Sequence, residues 1–264
     1  MRSIFTVRGT GNERGVFKGM TGAVAKKLDP NAFEFGECIY PATIGRIGSG
    51  QGNPPVDLDR CVEIGVQDLA RQVKASKYPA GLISYSLGGI VVSRFLERVE
   101  AGEWLNDNGS KLQVDFVVNI ANPARAPGDS VIPVMNGYGL HSSHGRWPAN
   151  TVVLELANPN DIICSAARFS PARKIAGALS PFSALEQRKS DPFADLRKIQ
   201  SEDWWARLTP GRYVEAAIGL GGYLLPNPRT GTTEHTLYST APIPGSHLTW
   251  TDWAAAEINR RWAR

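Results

Sequence analysis

Residues 81–89 read Gly-Leu-Ile-Ser-Tyr-Ser-Leu-Gly-Gly and are followed by IVVSRFLERV at 90–99. A short apolar run at 81–85 has the length of a buried strand, and apolar periodicity from about 87 to 99 predicts a helix. A serine at the turn between them matches the nucleophile elbow G-x-S-x-G, with Ser84 replacing the first glycine. The residues two before and two after such a serine must be small, because the ends of the turn pass close together. Ser86 is flanked at those positions by Ser84 and Gly88. With Ser84 as nucleophile the flanks would be Leu82 and Ser86, and Leu82 is too bulky. Ser86 is therefore the candidate nucleophile, against the plainer alternative of a serine in an ordinary glycine-rich turn.

Outward from this turn the chain alternates strands and helices. Residues 3–7 form a short β-rich run closed by Arg8-Gly9-Thr10-Gly11. Val62, Val66, Leu69 and Val73 share one helical face, with Asp57 or Asp59 available as a cap and Pro79 beyond the end. Buried strands are predicted at 114–120 and 151–156, and a last helix starts near Thr251 with Trp253, Ile258 and Trp262 on its apolar side. This alternation predicts an α/β fold with a mainly parallel sheet covered on both faces. After about Ser165 helical periodicity continues without convincing strands: Phe193, Leu196 and Ile199 follow a cap at Ser190 or Asp191, and a second helix is expected at about 212–220. The organisation expected is a hydrolase core at 1–164, a helical linker or lid at 165–225, and the rest of the core at 226–264. Two ordinary covering helices are the alternative reading of the middle segment.

A serine hydroxyl needs a base oriented by a carboxylate, and the chain order in this architecture is Ser, Asp, His. Asp161 follows the strand at 151–156 through a short Asn/Pro loop, so it should emerge at the carboxyl edge of the sheet, where open α/β sheets build their sites. Its plainer role is turn stabilisation; Asp129 and Asp191 fit the strand-end position less well. His141 and His144 come too early in the chain and are expected in a loop. His235 and His247 both fit the order, and spacing leaves the choice between them open. The oxyanion donors expected are the amides of Leu87 and of Thr10, in the loop after the first strand. That loop, RGTGNERG, also imitates a dinucleotide-binding turn, but Arg14 stands where the third glycine belongs, so no nucleotide cofactor is expected.

Composition sets the limits. The 264 residues carry 42% hydrophobic and 20% charged residues, enough for a substantial core rather than disorder. A net charge of +4 spread among interspersed acidic and basic residues implies a mixed solvated surface, with no nucleic-acid partner expected. No apolar run reaches membrane-spanning length, and the amino terminus lacks the apolar segment of a signal peptide. Cys38, Cys61 and Cys164 have no metal-binding spacing; buried free thiols are expected, with a Cys38–Cys61 bridge as the alternative. No metal is expected.

Taken in order and spacing, FTVRGTG, SYSLGG, NPARAPG, NPNDIICSA and EHTLY with the later PGS-x-x-TW resemble the mycobacteriophage lysin B family of mycolylarabinogalactan esterases, related to cutinases and PE-PPE serine esterases. The resemblance runs from Ile4 to about Ile258. It implies an α/β-hydrolase fold with a helical linker before the catalytic histidine. It favours His235, in His-x-x-Tyr, over His247, and implies a triad of Ser86, Asp161 and His235. The elbow departs from the family's G-Y-S-Q-G at Ser84 and Leu87; the leucine would contribute only its backbone amide. The implied substrate is the ester joining mycolic acids to arabinogalactan, with no cofactor. The implied setting is synthesis in a host cytoplasm, release during phage lysis, and contact with outer mycomembrane lipid. Trp204, Trp205, Tyr213 and Leu224 are candidates to line an apolar cleft, or else to be core. A cutinase- or lipase-like esterase for simpler acyl esters and an inactive envelope-binding module are the rival readings.

Overall fold

The computed structural model describes residues 1–50, 52–132, 137–168 and 233–263. The helical segment expected at 165–225 lies outside these residues beyond position 168, and with it Asp191, Trp204, Trp205, Tyr213 and Leu224. Five strands form one sheet: β1 (Arg2–Val7), β2 (Phe33–Glu37), β3 (Ala80–Tyr85), β4 (Val114–Ile120) and β5 (Val152–Leu156). Their spatial order is β2-β1-β3-β4-β5, and every neighbouring pair is parallel.

Alternation along the strands builds a core on each face. Phe5, Val7, Leu82 and Val117 pack with Val66 and Leu69 of helix α2 (Leu58–Ala75) and with Val91 and Phe95 of α3 (Leu87–Ala101). Ile4, Ile83, Phe116 and Val118 pack on the other side with Val24 of α1 (Gly19–Ala25). Trp250, Ala254 and Ile258 close that second core from the carboxy-terminal helix (Trp250–Trp262). Both faces are therefore dry, as an all-parallel sheet requires. Of the two caps offered by the sequence of α2, Asp57 is used: its side chain accepts from Arg60 N at 2.9 Å.

Strand β2 and helix α1 were not foreseen from the sequence, nor were the two short helical turns at Ile162–Ser165 and Glu234–Ser239. The edge strand β2 buries only Phe33 fully, so its pattern is too weak to announce it. Helix α1 is seven residues long, has no side-chain cap and carries two glycines; packing against the last helix holds it rather than propensity. All three cysteines are free and buried, so Cys38 and Cys61 are not bridged.

The strand order reverses between β1 and β3. In open α/β sheets the crevice at the carboxyl ends of two such strands is where ligands bind. The RGTG loop leaves β1 there and the serine turn leaves β3 there, so sheet topology brings together segments about 75 residues apart in the chain.

Candidate active site

Ser86 stands between β3 and α3 with φ 53° and ψ −120°, a region costing a non-glycine residue roughly 1–3 kcal/mol. Its amide donates to Ile120 O at 2.9 Å, which ties the turn to the end of β4. Although Ser86 occupies the N-cap position of α3, its hydroxyl makes no capping bond and is left to other partners. The neighbours explain the small residues. A Cβ on Gly88 would come within 2.1 Å of the Val7 carbonyl oxygen, and one on Gly9 would meet the Ser86 Cβ at 3.2 Å. Close approach of β1's end to the elbow is thus a source of the size limit at position 88.

Asp161 follows β5 as the expected strand-end acid. It caps the single turn α4 (Ile162–Ser165), its Oδ1 accepting from Ile163 N at 3.0 Å. His235 lies in a short 3-10 helix, Glu234–Ser239, pinned at its start where Thr236 Oγ1 accepts from Thr233 N at 3.3 Å and donates to Thr233 O at 2.8 Å.

These three side chains meet. His235 Nε2 lies 2.9 Å from Ser86 Oγ, and His235 Nδ1 lies 2.9 Å from Asp161 Oδ2. With the proton on Nδ1 donated to the carboxylate, Nε2 has the free lone pair that accepts from the serine hydroxyl. All three residues are buried, at 3%, 2% and 6% exposure for Ser86, Asp161 and His235, so the carboxylate acts at low dielectric. His247 is exposed in the turn before the last helix and meets neither Ser86 nor Asp161 among the described contacts. A second Asp–His pair exists, His144 Nε2 to Asp129 Oδ2 at 2.7 Å, with the His144 ring stacked on Trp147. Burial works against the charge on His144, but the bond to Asp129 carries its pKa above the ordinary value, and no serine hydroxyl bonds its ring. It is the loop histidine the sequence implied.

The two oxyanion donors expected from the sequence are available. Neither the Thr10 amide nor the Leu87 amide has a hydrogen-bond partner among the described residues, whereas the adjacent Gly11 amide is spent on Ala42 O. Leu87 is the first residue of α3, where an amide has no partner within the helix. Thr10 Oγ1 is buried and also without a partner. The loop is held stiffly by the buried Arg8, which donates to Tyr40 O at 2.5 Å, Asn53 Oδ1 at 2.9 Å and Asn12 O at 3.2 Å, while Tyr40 Oη donates to Arg8 O.

Sequence reasoning missed the residues that hold the histidine and aspartate. The Tyr85 ring stacks on His235 with centroids 5.1 Å apart, and its hydroxyl donates to His235 O at 2.9 Å. Tyr238 Oη donates to Asp161 Oδ2 at 2.9 Å and accepts from Asn158 N at 3.0 Å. The available signal was position alone: one tyrosine beside the serine, the other three residues after the histidine. Among the described residues no group of three or more His, Cys, Asp or Glu side chains has a metal-holding arrangement.

Such an arrangement is chemically equipped to raise the nucleophilicity of a serine hydroxyl and to receive negative charge on two backbone amides. No family model matches the chain, and no curated protein matches it. Among solved structures, the chain is similar to lysin B from mycobacteriophage D29, at 17% identity over 98% of this chain and 99% of that one, with a TM-score of 0.57. It is also similar to the catalytic core domain of acetyl xylan esterase from Trichoderma reesei (15% identity, 69% of this chain and 97% of that one, TM-score 0.45). A cutinase-like protein from Cryptococcus sp. matches at 18% identity over 70% of this chain and 94% of that one, again with a TM-score of 0.45. The last two scores carry no weight. The first, together with the parallel sheet and the strand–serine–helix turn, shows that the chain has the α/β-hydrolase fold.

Proposed function

We propose that this chain is a serine ester hydrolase. The observation that carries the reading is the continuous line from Ser86 Oγ through His235 Nε2 and Nδ1 to Asp161 Oδ2, with both bonds at 2.9 Å. Ser86 Oγ attacks the ester carbonyl while its proton passes to His235 Nε2. The carbonyl oxygen becomes an oxyanion facing the amides of Leu87 and Thr10, and Asp161 stabilises the imidazolium. Collapse breaks the ester C–O bond, the departing alcohol takes the proton from Nε2, and an acyl-serine remains. Water then attacks the acyl-serine with His235 again as base, which releases the carboxylic acid and restores the Ser86 hydroxyl.

The finer reading is that the ester joins mycolic acids to arabinogalactan, and that the chain acts at a mycobacterial-type envelope during phage lysis. Its support is the ordered set of sequence motifs and a fold likeness to a phage lysin B that spans 98% of this chain. On this reading the partners are the envelope glycolipid and outer mycomembrane lipid, the site of synthesis is the host cytoplasm, and release depends on lysis. No described helix is long and apolar enough to cross a membrane.

Two assays test this. Free mycolic acids released from purified cell-wall complex, compared with turnover of short p-nitrophenyl esters, addresses the substrate. Good short-ester turnover without mycolate release would return the chain to a cutinase- or lipase-like esterase for simpler acyl groups. Covalent labelling by a fluorophosphonate addresses the chemistry, and an unlabelled native protein would favour the inactive envelope-binding module.

A further inference from the structure

We propose that Tyr238 is a positioning residue that sets how much of the Asp161 charge His235 receives; this rests on the serine-hydrolase reading above. Three N–H or O–H donors converge on Asp161, beside a weak thiol contact from Cys164: Ile163 N meets Oδ1 at 3.0 Å, and Oδ2 accepts both His235 Nδ1 and Tyr238 Oη, each at 2.9 Å. An oxygen that serves two donors stabilises each less than one serving a single donor, because both draw on the same charge. Tyr238 is committed to this bond. Its oxygen accepts from Asn158 N at 3.0 Å, which leaves its own hydrogen for the carboxylate. Burial first, and the Asp161 charge second, push the phenol pKa well above its ordinary value, so that hydrogen stays on Oη.

Local structure explains how one short segment supplies both donors. His235 and Tyr238 are three residues apart in a 3-10 helix, where such positions eclipse, so base and second donor reach one carboxylate from one edge of the helix. Other charged or titratable neighbours are engaged differently. Cys164 Sγ, a weak donor, lies 3.5 Å from Asp161 Oδ2 and 3.2 Å from Tyr238 Oη. Arg125 donates to Cys164 O at 2.7 Å, and Glu234 accepts from Asn158 Nδ2 at 2.9 Å. Around the His235 ring, Tyr85 stacks on its face and Ser86 Oγ lies 2.9 Å from Nε2. Among the described residues Tyr238 alone brings a hydroxyl to the carboxylate.

Without that hydroxyl, Asp161 Oδ2 serves His235 with only the weak Cys164 thiol donor beside it, and holds the protonated imidazole more tightly. The base then keeps its proton to higher pH. In Tyr238→Phe the acid limb of the kcat/KM profile should move up by about 0.5–1 pH unit, with KM within about twofold of native, since the residue acts through others and touches no substrate. The experiment measures pH profiles on p-nitrophenyl butyrate for the native chain, Tyr238→Phe, Asp161→Asn and the double variant. In the Asp161→Asn background, Tyr238→Phe should change kcat/KM by less than about twofold, because the group it acts through is gone. An unmoved acid limb, or the full loss of each single variant multiplied in the double, would overturn the proposal. Should Tyr238→Phe not fold, 3-fluorotyrosine at position 238 substitutes: its more acidic phenol donates more strongly, so the limb should move to lower pH, and an unmoved limb counts against the role. Ser86→Ala separates the two readings. Full turnover in that variant would overturn the serine-hydrolase reading itself, whereas its loss beside an unmoved limb in Tyr238→Phe would overturn only the role of Tyr238.

Discussion

Ser84 Oγ donates to Asn119 Oδ1 at 2.5 Å, and the two residues are direct partners across β3 and β4. The row continues into β5, where Asn119 pairs with Glu155 and donates Nδ2 to Oε1 at 2.6 Å. Asn122 Nδ2 adds a second bond to the same oxygen at 3.0 Å and reaches Ser93 of α3 at 3.3 Å. The hydroxymethyl group of Ser84 is therefore the first member of a buried polar row across three strands, two residues before the candidate nucleophile Ser86.

Glu155 gives this row a pH signature. Burial raises its pKa from 4.5 to about 7, against the opposing hydrogen bonds from Asn119 and Asn122, and its Oε2 is buried without a partner among the described residues. A carboxyl with a raised folded pKa holds its proton more tightly in the folded chain. The contribution of Glu155 to stability is therefore fully present below about 4.5, falls as pH rises to about 7, and is level above that, a loss on the order of 3 kcal/mol. Glu155→Gln removes the charge. It should raise the melting temperature near pH 8 by roughly 5 °C more than near pH 5. An equal change at both values would mean that Glu155 is not the titrating group.

Fluorophosphonate labelling distinguishes the two elbow serines. Ser86→Ala should lose the label and about 10⁴-fold or more of its esterase turnover. Ser84→Ala should keep the label but lose about 1–3 kcal/mol of stability, because Asn119 Oδ1 is left buried without its donor. Label retained in Ser86→Ala would move the nucleophile elsewhere.

Gly88→Ala tests the close approach of β1 to the elbow. With a Cβ 2.1 Å from Val7 O, the first turn of α3 must shift away from the strand. The expected cost is about 1–3 kcal/mol in a urea melt, with turnover falling because the Ser86 hydroxyl and the Leu87 amide move together. Unchanged stability and activity would show that the contact relaxes freely.

The three thiols should be silent in the native protein. Cys38, Cys61 and Cys164 are buried, and burial is the leading cause that raises the pKa of each. Ellman's reagent should therefore titrate none of them in minutes and all three after denaturation. Fast reaction of one thiol in the native state would reveal local opening around it.

Much of the fold was legible from the sequence because it rests on local rules. The strands at 81–85 and 114–120 announce themselves by short, mainly apolar runs, α2 by its apolar face, and the elbow by the size of its flanking residues. Strand β2 and helix α1 were not legible, since one is a half-exposed edge and the other a short, glycine-bearing turn whose stability comes from its neighbour. The candidate acid was legible too, because a residue just past a buried strand must emerge at the sheet's edge.

By itself, the sequence set the candidates in the order Ser, Asp, His, favoured Ser86 over Ser84 by sterics, and determined the alternation that makes a parallel sheet. Spacing alone left His235 and His247 open, for both precede the last helix and nothing local tells a base from a surface histidine; the family resemblance favoured His235. Tertiary structure separates their positions: the 3-10 helix brings His235 within hydrogen-bond distance of both Ser86 and Asp161, while His247 is exposed. Strand register likewise decided what Ser84 does, because a hydrogen bond between residues 35 apart exists only when β3 and β4 align in one register. Hydrogen bonds have direction and short reach, and those are properties of the packed chain.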